Sequence, residues 1–194
     1  MNLWKKLVLV ALLLVLAIPL TVSLAQDTSG NTLIGAFDIG PGGAPGVRPY
    51  MDTAGRTWLS KIWSTLVVWN SDISAPEPEL ATDWSSNDDY TVWTFNLRDG
   101  VTWHDGEPFT AADVVFSYNL AVNPDAATQF SGFSQLSPTT VSEVRAVDDL
   151  TVEFVLTAAN PRLPYNLMLL WILPEHALAD LAPADYQTTE WFFT

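Results

Sequence analysis

His104, Asp105 and Glu107 fall within four consecutive positions, the densest grouping of chemistry-capable side chains in the 194 residues. An imidazole beside carboxylates is the raw material of general acid–base work, and the same three groups are donors a hydrolytic zinc ion accepts. Their spacing argues against both. Ligands crowded into one turn diverge rather than converge, and the helical His-x-x-x-His pattern that would bring a second imidazole to the same face is missing. The other histidine, His176, stands beside Pro174 at a helix start with no paired motif. No Gly-x-Ser-x-Gly elbow presents a serine nucleophile. The run Gly40-Pro41-Gly42-Gly43 lacks the Gly-Lys-Ser/Thr that would complete a phosphate cradle. His104-Asp105-Gly106-Glu107 is therefore read as a hydrogen-bonded turn. The expectation is a protein that is not an enzyme, with no catalytic residue, no metal and no cofactor. Nine tryptophans suggest a second chemistry, the stacking of sugar rings by an exported carbohydrate-binding or adhesion module. Such a platform needs at least two indoles outward and coplanar, whereas Trp58, Trp63, Trp84, Trp93 and Trp103 fall at positions predicted to face inward.

The elements around that turn are strongly signalled. Trp93, Phe95 and Leu97 alternate with Thr94, Asn96 and Arg98, the period of a strand with one buried and one wet face. Asp99-Gly100 and Asp105-Gly106 supply two reversals in which glycine accepts positive φ, and Pro108 closes the second. Thr110 stands three residues before Asp113, so its hydroxyl can cap the third helical amide while the carboxylate faces the positive end of the helix. Strand, double turn and capped helix thus run without a gap from Trp93 to Ser117.

Elsewhere the pattern is mixed. Thr32 to Asp38 reads as a first strand, and Gly40 to Pro49 as a loop. Trp58, Leu59, Ile62, Trp63 and Leu66 recur at helical spacing. Leu80 to Ser85 and Thr91 to Arg98 form a hairpin turned by Asn87-Asp88-Asp89, and Val141 to Val147 pairs with Leu150 to Leu156 in a second. A loop spans Asn123 to Pro138. Pro174 at a first helical position, followed by Glu175, opens a short helix through Leu181. Hairpins with helices between them give an α/β class with mixed sheets and no internal repeat.

Lys5 and Lys6 precede an apolar run from Leu7 to Ile18, and Ser23-Leu24-Ala25 offers the small residues at a signal-peptidase site. Residues 1–25 read as a signal peptide, the apolar part being shorter than the roughly twenty residues that span a bilayer. Their removal leaves residues 26–194 with six bases against 22 acids, a net charge of −16. That balance argues against nucleic acid and anionic lipid surfaces, whose phosphates need lysine and arginine. The chain has no cysteine, so burial alone must stabilise it outside the cytosol, and a lipid anchor on cysteine is excluded.

The order of residues from Trp93 to Ser117 resembles the segment shared by extracytoplasmic solute-binding proteins of family 5, the peptide, nickel and oligopeptide binders of ABC transporters. Pro78-Glu79-Leu80-Ala81-Thr82-Asp83-Trp84 and Ala146-Val147-Asp148-Asp149-Leu150-Thr151-Val152 are similar to flanking blocks of that family, and the likeness runs from about Arg56 to Pro174. The resemblance implies a type II periplasmic-binding-protein-like lobe that captures a peptide or other small solute outside the cytoplasmic membrane. It also implies delivery to an ABC permease, ATP being used by a separate subunit. Members are much longer, so residues 26–194 are expected to be an amino-terminal part, truncated before the second ligand-binding lobe. In related oligopeptide binders an aromatic residue in the loop opening with Asn-Pro contacts the ligand; here that loop contains Phe130, the first binding candidate. Tyr50, just past the Gly/Pro loop, is the second.

Overall fold

The computed structural model describes residues 62–123, 136–182 and 185, all within one compact unit, Ile39–Thr194. The signal peptide, the strand at 32–38, the Gly/Pro loop, Tyr50, Trp58, Leu59 and Phe130 lie outside the described residues.

The alternating segment forms a central strand. Four strands, β3 (Ala81–Ser86), β4 (Val92–Leu97), β5 (Val141–Asp148) and β6 (Thr151–Leu156), make an antiparallel sheet in the order β3-β4-β6-β5. Trp93, Phe95 and Leu97 of β4 are buried, as are Val152, Phe154 and Leu156 of β6. The register places Phe95 opposite Val152 and Trp93 opposite Phe154, so both apolar rows lie on one face. Helix α1 (Ala111–Val122) covers that face with Val114, Tyr118 and Ala121. Phe95 meets Phe154 edge-on at 5.6 Å, and Tyr118 meets the same ring at 6.3 Å. Each fully buried phenylalanine contributes about 1.5–3 kcal/mol through the water it sheds. The opposite face is polar, with Arg145 bridging Glu153 at 2.6 Å.

The first hairpin turns as expected near Asn87, whose side-chain oxygen accepts the amides of Thr91 (2.9 Å) and Val92 (3.0 Å). Every ladder among the described residues is antiparallel. A two-stranded ribbon absent from the sequence expectations, β1 (Val67–Trp69) with β2 (Pro76–Pro78), precedes the sheet. Proline is tolerated there because the strands are short and at an edge.

Two expectations change. The helical stripe ending at Leu66 is not helical from Ile62 onward, and Ile62 is 45% exposed. The main-chain oxygens there are taken by distant amides: Ile172 bonds Ser64 (3.0 Å), Leu80 bonds Thr65 (3.2 Å) and Ala81 bonds Leu66 (2.9 Å). A carbonyl so occupied is diverted from an i→i+4 ladder, so Trp63 and Leu66 are buried by extended chain instead. The helix at Pro174 is one turn, α3 (Glu175–Leu178), with Pro174 as its N-cap rather than its first residue. Leu181 then donates to Leu178 (3.1 Å), an i→i+3 turn that closes the segment. Helix α2 (Leu163–Leu167), entered through Pro164, was not signalled by a long apolar period.

Candidate functional site

The segment from β4 to α1 folds as the residue types dictate. Gly100 and Gly106 take φ of +72° and +94°, and Trp103 and Glu107 close the second reversal through a 2.8 Å main-chain bond. Thr102 pairs with Pro108 across it. Thr110 and Asp113 form a capping box, whose carboxylate arm is the 2.9 Å bond from the Thr110 amide to Asp113 Oδ2.

Asp113 does more than cap. Only 3% exposed, it accepts the Trp103 indole N–H at 3.3 Å on Oδ2 and the Glu175 amide at 2.8 Å on Oδ1. One carboxylate therefore holds the start of α1, the reversal before it and the start of α3. One helical turn on, fully buried Ser117 accepts the Leu173 amide at 2.8 Å and donates to the Asp113 carbonyl at 2.6 Å. The two polar residues buried on α1 are both spent on the main chain of residues 173–175. Neither is available as a nucleophile or base.

His176 is drawn to the same place. Its Nε2 lies 2.8 Å from Asp105 Oδ2, and its ring leans on Trp103 at 6.4 Å. This contact, with the Glu107 amide, holds the Asp105 carboxyl below its ordinary range. The pair is part-exposed. His104 is exposed and joins no such pair among the described residues. Among the described residues no group of three His, Cys, Asp or Glu side chains could hold a metal. Of the expected motif residues, Gly100 and Gly106 sit at positive φ, Asp105 bonds His176, Pro108 bridges Thr102, and Thr110 and Asp113 form the capping box.

A concavity of about 200 Å3 is walled by Trp63, Trp69, Trp171, Met168, Thr65 and Glu79. Trp63 and Trp171 are buried with Leu173 and Leu178, whereas Trp69 is 45% exposed and rests against Tyr165 at 5.6 Å. Trp63 is core, as its spacing predicts. Trp69 and Glu79, brought together by β1, β2 and the turn into β3, carried no local signal. Of the six tryptophans described, Trp69 alone is more than a third exposed, so the outward pair a sugar platform requires is not met among the described residues.

Residues 75–193 match the profile of the bacterial extracellular solute-binding proteins, family 5, middle part. A putative ABC transporter peptide-binding protein of Brucella ovis is 33% identical over 169 residues, 87% of this chain and 31% of its own length. The oligopeptide-binding protein AppA of Bacillus subtilis, solved with a nonapeptide, superposes with a TM-score of 0.63 at 25% identity. That match covers 75% of this chain and 28% of AppA. The binding protein MoaA of A. tumefaciens R10, solved with mannopinic acid, gives 0.60 at 33% identity over 73% of this chain and 29% of its own. The chain spans about a third of the length of the curated relatives it matches. The described sheet and helices are those of a type II periplasmic-binding-protein lobe. From the Trp93–Ser117 unit, its flanking blocks and these likenesses together, the chain belongs to the bacterial extracellular solute-binding proteins of family 5.

Proposed function

We propose that the protein takes part in capturing a peptide or another small solute outside the cytoplasmic membrane and handing it to an ABC permease, whose ATPase is a separate subunit. The observation that carries this reading is the family match over residues 75–193, which contains the whole strand, reversal and capped-helix unit. Its role is binding without catalysis. Asp113 and Ser117 are consumed by structural bonds, and His176 and Asp105 are bonded to each other. Closing lobes on a solute removes both from water, so the main-chain hydrogen bonds made to it strengthen in the lower dielectric. Phe130 and Tyr50 remain the proposed contacts. Export through residues 1–25 accords with the family's extracellular station. Relatives are described with a nonapeptide and with mannopinic acid, so the solute is proposed only as small and polar.

Calorimetric titration of the full-length gene product with mixed peptides, nickel–histidine and sugar acids, followed by mass spectrometry of the solution, tests this. Saturable binding of at least one solute, recovered intact, is expected. Conversion of a solute, or no binding to any, overturns the reading.

A further inference from the structure

The concavity beside β1 sets one carboxylate among indoles, an arrangement the solute-capture reading does not use. Trp63 and Trp171 are fixed as walls by Leu173 and Leu178, and Trp69 stands at the mouth. Glu79 Oε2 accepts the Thr65 amide at 2.7 Å and lies 2.7 Å from the Thr65 hydroxyl, which also lies 2.7 Å from the Val67 carbonyl. Those bonds hold the carboxylate in place while its other oxygen, Oε1, accepts no hydrogen bond among the described residues. Among the described residues no cationic side chain lines the space. Arg98 meets Glu79 only at the main-chain oxygen (3.2 Å), and Arg162 lies over the Tyr165 ring at 5.3 Å.

We propose that this pocket binds a small organic ammonium ion. Indole faces carry negative potential and attract a cation placed over them, and a fixed carboxylate adds directional charge. An anion would be repelled by Glu79, and a neutral apolar guest would strip water from the carboxylate without replacing it. The cation satisfies both walls at once. All the walls named are described residues, and this site stands or falls separately from transport.

Calorimetric titration of the full chain with tetramethylammonium chloride, against sodium chloride at equal ionic strength, tests the assignment. Tert-butyl alcohol serves as the neutral analogue. Saturable binding of the cation and none of the alcohol are expected, with affinity falling about tenfold in Trp69→Ala and in Glu79→Gln. Trp69 is half in water, so its removal leaves the core intact, and circular dichroism verifies the fold of both variants. The assignment is overturned by the absence of saturable heat, by equal binding of the alcohol, or by full affinity in either folded variant.

Discussion

Replacing Asp113 with alanine removes an acceptor from three donors at once: the amides of Thr110 and Glu175 and the indole N–H of Trp103, at 2.9, 2.8 and 3.3 Å. Bonds to a charged acceptor are worth about 1.5–3 kcal/mol each, and a buried donor left without a partner costs about 1–3 kcal/mol. The three share one site and do not add in full, so the expected loss is about 4 kcal/mol, a large share of a domain's usual stability. With a urea slope near 2 kcal/mol/M, the unfolding midpoint followed by circular dichroism falls by about 2 M. Asp113→Asn keeps the size but turns an NH2 toward a donor, and is expected to lose about half as much. Ser117→Ala, which frees the Leu173 amide, costs about 1–2 kcal/mol. Because both residues hold residues 173–175, the double variant loses less than the sum. A midpoint shift in Asp113→Ala equivalent to under about 1 kcal/mol would refute the view that this carboxylate knits α1 to α3.

Three further outcomes follow from the geometry. Gly106→Ala places a Cβ at φ +94° with nothing within 4 Å, so its cost of about 1–2 kcal/mol in urea unfolding is purely conformational, and a neutral result contradicts the turn. Tyr118, whose hydroxyl donates to the Val141 carbonyl at 3.2 Å, has its pKa pushed by burial up to about 12. The folded state keeps that proton where the unfolded chain loses it, so stability present below about pH 10 declines as pH rises toward 12. Tyr118→Phe removes this part of the alkaline loss in pH-dependent melts. For Asp105, the His176 contact lowers the folded pKa, so its contribution is present above the unfolded carboxylate range and fades as pH falls through the folded value. Carboxyl NMR titration of His176→Ala should move the Asp105 midpoint upward; an unmoved midpoint contradicts the pairing.

What the sequence disclosed is what is local. Alternation in Trp93–Leu97, positive φ at Gly100 and Gly106, and the Thr110/Asp113 box each depend on neighbours within a few positions. The hairpins near Asn87 and at residues 147–150 followed for the same reason. The bond from Asp113 to Glu175 joins residues 62 apart, and that from Asp105 to His176 joins residues 71 apart. No spacing rule encodes either. Trp63 and Leu66 are buried, as their spacing predicts, but not in a helix, because spacing of three residues looks the same whether a helix or partner strands cover the side chains. The ribbon β1–β2 escaped notice because two of the three β2 residues are proline, which reads as punctuation. Trp69 and Glu79 come to line one concavity only through that ribbon. Phe130, drawn from likeness to relatives, and Tyr50, drawn from its place just past the Gly/Pro loop, lie outside the described residues.

Membership in family 5 makes cargo capture the central claim, and uptake by the host cell tests it most directly. Isotope-labelled peptides and sugar acids are supplied to cells with the gene intact, deleted and restored. The account predicts that deletion abolishes accumulation of at least one solute, that restoration recovers it, and that the solute is found intact inside. Unchanged uptake of every solute, together with cleavage of one in the medium only when the protein is present, would contradict it.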